Sequence, residues 1–299
     1  MTIAARRRFQ LGLLLGPVTL FLLIFFLVPL GIMVVTSFLT PGLYGGVEWS
    51  FYPDNFGRIL GFANPEFEEY DPVYIAIFLR SIRIAAITVV ATLLVCYPAA
   101  FYISRLPDKW KNFCLFLITL PFFSSLIVRL FVWVMILRPT GLINNTLMAT
   151  GVISAPLEMI YTDGAIILGM VYVFIPFMFM PIYASIEKLD WRLIQASLDL
   201  GAGPIRTFFR IILPLTTPGI IGGSIIVFIP ALGNFVVPAV LGGAKVMMLG
   251  SLIEAQFLSA RNWPFGSALA MMVMAVMLVL LVVYVIVSGR RNATAALTA

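Results

Sequence analysis

The chain has 299 residues, 62% of them hydrophobic and only 11% charged, with a mean hydropathy of +1.07 and a formal net charge of +6. Such a composition cannot coat a water-soluble domain, so the chain is read as an integral membrane protein. It has no histidine, and its two cysteines, Cys96 and Cys114, fall inside apolar runs, which leaves no material for a disulfide framework or a His/Cys metal site.

A helix needs roughly 20 apolar residues to cross a bilayer. Six stretches meet that length: 11–36, 82–104, 112–137, 164–186, 214–240 and 264–288. Their length and their Leu, Val, Ile and Met content predict helices and not the short alternating strands of a membrane barrel. The fold class is therefore an all-α membrane protein of six transmembrane helices, a single permeating domain over 1–299. Arg6, Arg7 and Arg8 precede the first run. That run is too long for the core of a signal peptide and lacks a small-x-small cleavage site, so it is read as a retained anchor helix.

The lysine and arginine bias sets the orientation. With the N-terminus inside, the inner segments hold Arg6, Arg7, Arg8, Arg105, Lys109, Lys111, Lys188, Arg192, Arg206, Arg210, Arg290 and Arg291. The first outer segment is acidic, with Glu48, Asp54, Glu66, Glu68, Glu69 and Asp71. Both termini are then cytoplasmic, and the positive balance is a topology signal that calls for membrane lipid and no nucleic acid. The outer segment Glu48 to Arg83, with scattered aromatics, is expected to form a small cap or a docking surface. Thr140 to Asp163 and Lys245 to Arg261 are expected to hold short re-entrant or interfacial helices.

In the third span, Arg129 is the only charge, and an ionisable group inside a span is a functional candidate. It also stands eight residues before Leu137, near enough to the helix end to snorkel. Ser124, Ser125 and Trp133 in the same span and Tyr172 in the fourth are weaker candidates for lining a path, since aromatics there more often serve helix packing. In the fifth span Pro230, Gly233 and Asn234 loosen the helix, and irregular backbone at membrane depth is tolerated where it lines protein or a wet path.

Between the fourth and fifth spans lies QASLDLGAGPIRTFFRIILPL, Gln195 to Leu215. It reads as a helix from Leu189 to Leu200, a turn at Gly201-Ala202-Gly203, and a second helix from Pro204 to Ile212, with glycine and proline as the expected punctuation. Ile205, Phe208, Phe209 and Ile212 recur at helical spacing opposite Arg206, Thr207 and Arg210, which predicts a buried apolar face. Small residues at the turn let another surface come close. A docking elbow and a plain connector both fit these residues.

The spacing resembles the loop of ABC importer permeases that reads E-A-A, three residues, G, nine residues, I, one residue, L-P. Gln195, Ala196 and Ser197 stand at E-A-A, Gly201 at the glycine, and Ile211, Leu213 and Pro214 close the pattern. The stretches Leu120 to Asn144 and Leu232 to Ala270 look like spermidine/putrescine permeases of the PotB and PotH type. This resemblance implies the type I importer fold and a coupling helix over 189–212 seated on a cytoplasmic ABC ATPase dimer. It also implies a second, PotC-like permease subunit, an extracellular or periplasmic solute-binding protein, and a place in the inner membrane of a bacterium.

Two positions depart from the family pattern. Gln195 replaces the loop's glutamate, keeping hydrogen bonding without charge, which leaves Asp199 and Arg206 as charged contacts. Ala239 stands where polyamine permeases carry an acidic residue, so a related opine-like or amino-acid-like solute, or counter-charges on the partner permease, enters the reading. No G-x-x-x-x-G-K-[ST] occurs, so the chain is expected to bind no cofactor and to leave ATP and magnesium to the partner ATPase. An ion-coupled secondary transporter would carry repeats around a midplane ionisable site, and one peripheral arginine fits that poorly.

Overall fold

The computed structural model describes residues 14–62 and 70–297, without the side chains at 244, 280 and 283–297. Arg6, Arg7, Arg8, Glu66, Glu68 and Glu69 lie outside the described residues, and nothing further rests on them. Contacts divide the chain into two compact units, one formed by residues up to Ile75 and from Leu252 onward, the other by Ala76–Ser251.

In the first unit, α1 (Leu14–Ser37) carries a π-helical turn at Leu23–Leu27, just ahead of Pro29. A proline lacks an N–H, and its ring crowds the carbonyl four residues back. Here that carbonyl belongs to Phe25, inside the widened turn that takes up the misfit. A small antiparallel hairpin follows, β1 (Leu39–Pro41) on β2 (Val47–Phe51), then α2 (Asp54–Ile59). The hairpin adds a β element to the expected all-helical chain and confirms that the segment after the first span is folded. Buried Asn55 ties it together by donating to the carbonyls of Ser37 and Leu39, both at 3.0 Å. Arg58 lies 4.6 Å from the centre of the Phe265 ring, and Thr36 donates to Ser267 at 2.9 Å, joining α2 and α1 to α11 (Trp263–Leu297).

The second unit is built around α7 (Asp163–Glu187) and α9 (Pro204–Leu232). Gly219 and Gly223, one helical turn apart on α9, let the two backbones approach: a Cβ at Gly219 would meet the Pro181 carbonyl and Ser185, and one at Gly223 would meet Met178. Around this pair stand α3 (Val73–Ile103), α4 (Asp108–Thr119), α5 (Leu126–Leu137), α6 (Leu142–Ala149), α8 (Trp191–Asp199) and α10 (Leu249–Leu258), the last running on into the first unit. α3 starts nine residues before the span expected at 82, because Val73 to Ser81 continue its helical pattern, and the outer loop is correspondingly shorter.

Among the described residues five helical segments are long and apolar enough to cross a membrane: Leu14–Ser37, Val73–Ile103, Leu126–Ala149, Asp163–Glu187 and Pro204–Leu232. A sixth apolar helix is α11, whose Trp263–Val279 part is described with nearly all its side chains. The expected unbroken third span, 112–137, is corrected. α4 ends in a 3-10 turn at Leu120–Phe123 and the chain extends at Ser124 before α5 begins, since Pro121 lacks an N–H and the Ser124 hydroxyl donates to the Pro121 carbonyl at 3.0 Å. The expected fifth span, 214–240, is also interrupted: α9 stops at Leu232 and a π turn at Pro238–Gly242 follows after a gap. The short helices expected in Thr140 to Asp163 and Lys245 to Arg261 are α6 and α10, although α6 forms the end of the long apolar segment Leu126–Ala149.

The close α7–α9 contact gives the first testable outcome. Gly219→Val overpacks it and lowers stability by about 1–3 kcal/mol, read as a lower melting temperature of the detergent-purified protein. Gly222→Ala, where a Cβ meets nothing within 4 Å, leaves the melting temperature at or above wild type.

Candidate functional site

The elbow between α7 and α9 is a braced object. Asp190 caps α8 by accepting from the Arg192 N–H at 3.0 Å. Gly201 ends α8 in the left-handed region, φ +80°, with its N–H on the Leu198 carbonyl (2.9 Å) and the Ala202 N–H on that of Ser197 (3.1 Å). This is the paired hydrogen-bond pattern of a glycine C-cap. Pro204 opens α9 directly after the turn. Ser197 and Thr207, both buried, share a 3.0 Å hydrogen bond that pins the two arms together.

Beneath the elbow α3 supplies the seat. The Arg105 guanidinium lies 4.1 Å from the Phe101 ring centre and 5.0 Å from that of Trp191, fixing the start of α8 on the end of α3. Tyr97 bonds Thr216 at 2.9 Å and meets Phe208 edge-on. At the end of α7, Glu187 accepts from Tyr183 at 3.0 Å and faces Lys111 at 3.7 Å.

The predicted apolar face of the second arm is wrong in detail. Thr207 is only 3% exposed, while Ile205 and Phe209 are 74% and 60% exposed. The reason is a π turn at Phe208–Ile212, two residues before Pro214, whose crowded carbonyl at Arg210 it contains. The inward face then runs Thr207, Ile212, Thr216 and Gly219, with a step of five residues across the wide turn. The second arm therefore does not end at Ile212 and continues through Pro214 into the span.

Of the sequence-predicted elbow residues, Gln195, Ala196, Asp199, Gly201 and Arg206 are exposed, whereas Ser197 points inward as a brace. An open groove of about 420 Å³ runs between the arms, lined by Ala196, Leu200 and Gly201 together with Arg206 and Arg210. A Cβ at Gly201 would meet no atom within 4 Å, so its space is open toward solvent. The surface combines apolar side chains, two guanidinium groups and one carboxylate, the chemistry of a protein docking surface.

The path candidates fall into two places. On one side, Arg129 and Trp133, one turn apart on α5, both face Tyr172 of α7. The guanidinium lies 5.7 Å from the Tyr172 ring centre, and Trp133 meets the same ring edge-on at 5.8 Å. Arg129 thus rests on protein, in the first turn of α5. Ser125, exposed, caps this turn, its carbonyl accepting from the Arg129 N–H at 3.2 Å. On the other side, Asn234 restarts the helix after exposed Gly233, its Oδ1 accepting from the Val237 N–H at 2.9 Å. Gly250 packs on the carbonyls of Gly233 and Asn234, where any Cβ would collide. Ala239 is exposed on the following turn and offers no carboxylate.

Sequence reasoning missed Thr207, Tyr97, Thr216 and the seat at Arg105, and it missed the joint held by Arg80 and Arg83 on Asp163 at 2.5 and 2.8 Å. Gly219 and Gly223 carried a readable signal, two small residues four apart in an apolar helix. The hydroxyl pairs carried none, since Ser and Thr in apolar helices satisfy themselves on the preceding turn as often as on a neighbour. Among the described residues no group of three or more His, Cys, Asp or Glu is placed to hold a metal ion.

The family described as "Binding-protein-dependent transport system inner membrane component" matches residues 92–292, and the chain belongs to it. It is a multi-pass inner-membrane permease subunit of an ABC importer. The spermidine/putrescine transport system permease protein PotB of Escherichia coli (strain K12) is 40% identical over 263 residues, 88% of this chain and 92% of that protein. PotB of Haemophilus influenzae (strain ATCC 51907 / DSM 11121 / KW20 / Rd) is 38% identical over 88% of both chains. Among solved structures, a chain of a bacterial ABC transporter involved in the import of the acidic polysaccharide alginate superposes with a TM-score of 0.71 at 18% identity, covering 96% of each chain. That likeness carries the fold alone.

Two outcomes follow from this geometry. A double-mutant cycle of Ser197→Ala and Thr207→Val gives a coupling of about 0.5–1.5 kcal/mol in chemical or thermal unfolding. Asn234→Leu removes a cap and lowers stability by about 0.5–2 kcal/mol, whereas Asn234→Ser, which still caps, stays within a few tenths of wild type.

Proposed function

We propose that this chain moves a polyamine of the spermidine/putrescine class, or a closely related small organic amine, into the cytoplasm as one of two permease subunits. ATP and magnesium are bound and hydrolysed by a cytoplasmic ABC ATPase dimer, and this chain binds no cofactor of its own. The second permease is PotC-like, and a soluble binding protein delivers the solute from the outer face. Both termini lie in the cytoplasm.

The observation that carries the reading is the elbow, a rigid hydrogen-bonded turn whose exposed Gln195, Ala196, Asp199, Gly201 and Arg206 flank an open groove. Such a surface receives a partner and transmits its motion without deforming. The solute class rests on the 40% identity to a protein named as a spermidine/putrescine permease, spread over 88% of this chain. A partner binding protein is supported by a solved fold relative, the alginate transporter in complex with its alginate-bound periplasmic protein, with a TM-score of 0.69 at 17% identity and 92% coverage of each chain. Ala239 and the apolar surroundings of Asn234 leave the counter-charges for a cation to the second permease.

The test is Gly201→Trp in the reconstituted four-component system. The left-handed backbone and the bulky ring together displace the ATPase surface, so solute-stimulated ATP hydrolysis and uptake fall roughly tenfold or more, corresponding to at least about 1.4 kcal/mol of lost contact. Membrane insertion, read by yield and monodispersity of the permease, persists. Normal uptake with normal stimulation would remove the elbow from the coupling surface.

A further inference from the structure

Arg129 is the one charge the sequence strands inside an apolar run, and the structure gives it a definite place. It is half-buried, its guanidinium rests on the Tyr172 face, and its Nε is buried without an acceptor among the described residues. Among the described residues no carboxylate pairs with it. On α5, α7 and the segment 233–245 the acidic residues are Asp163 and Glu187, at the two ends of α7, already engaged by Arg80 with Arg83 and by Tyr183 with Lys111. Lys245 is the only other charge on the segment after the helix break.

The helix that carries this charge packs beside the break in the fifth span. α5 and α7 both pack on the Pro238–Gly242 turn, directly after Gly233 and Asn234. A half-buried cation costs more to desolvate than an apolar side chain, which would serve a purely structural contact to Tyr172 as well. A fixed positive charge at a low-dielectric constriction does something an apolar side chain does not: it repels cations.

We propose that Arg129 is the charge barrier of the translocation path, held across it by Tyr172 and Trp133, and that it keeps cationic solute from leaking down its gradient when ATP is not driving transport. This rests on the proposed reading that the solute is a small organic cation. A dication passing a unit charge in a protein environment is slowed at least about tenfold.

The experiment is efflux of preloaded putrescine from proteoliposomes holding the complete transporter without ATP, with erythritol as a neutral probe of similar size. R129Q raises putrescine efflux at least about tenfold and leaves erythritol efflux at the wild-type level, while R129K stays close to wild type. A structural role moves both probes together. The proposal is overturned if R129Q does not raise putrescine efflux, if erythritol leaks in parallel, or if R129K leaks like R129Q. Should R129Q fail to assemble with the ATPase, R129H makes the comparison within one protein. Efflux is faster near pH 8, with the imidazole neutral, than near pH 5.5, with it charged, and equal rates overturn the proposal. ATP-driven putrescine uptake by the wild type checks the solute class separately, and its absence would refute that reading while the leak comparison is made with rubidium ion.

Discussion

Every backbone polar group in a span must find its partner within the protein, because hydrocarbon offers none. This chain makes that constraint severe by placing prolines inside its helices: Pro98 in α3, Pro176 and Pro181 in α7, Pro218 and Pro230 in α9. Each removes a donor and crowds a carbonyl. The structure answers in two ways. Wide π turns absorb the misfit ahead of Pro29 and Pro214. Elsewhere the helix stops, as at Leu232, and restarts under a cap.

These answers explain why the exposed and buried faces are where they are. The π turn at Phe208–Ile212 rotates the inward face of α9, so that Thr207 reaches Ser197 while Ile205 and Phe209 face out. A regular helix would have buried the two large apolar residues and left the hydroxyl pair unmade. The elbow's shape is therefore a consequence of a proline lying beyond it in the chain, and its stiffness comes from contacts reaching it from α3. The Arg105 sandwich, at an exposed site, adds about 0.5–1 kcal/mol to the seating of α8.

Spans, elbow and turn were legible because they rest on local rules: apolar run length, glycine at a left-handed position and proline at a first helical position. The punctuation at Gly201 and Pro204 reads the same in sequence and structure. The face of α9 was not legible, since period counting assumes a constant helical pitch and the π turn breaks it at Phe208. The break at Ser124 carried a sign in Pro121 and the following serines, which the count of apolar run length passed over. The Arg129, Trp133 and Tyr172 cluster was half legible. Each residue stands out alone, but only tertiary packing brings α5 against α7 so that two of them share one ring.

One element joins the two places that matter. α9 runs 29 residues without a gap from the turn at Gly203 to the break at Gly233, about 43 Å at 1.5 Å per residue. Its lower end is rigid, pinned by Ser197, Tyr97 and the α8 cap; its middle is locked to α7 through Gly219 and Gly223. Its upper end is packed at Ala231 and Leu232, both fully buried, and gives way to the break where Asn234 accepts from Val237 and Gly250 meets two carbonyls. On the proposed reading, a push on the exposed side of the elbow is passed along α9 and α7 as a pair to the interrupted backbone beside Asn234. On the same reading that backbone lines the path, so this one helix is what converts a cytoplasmic contact into a change at the membrane's interior.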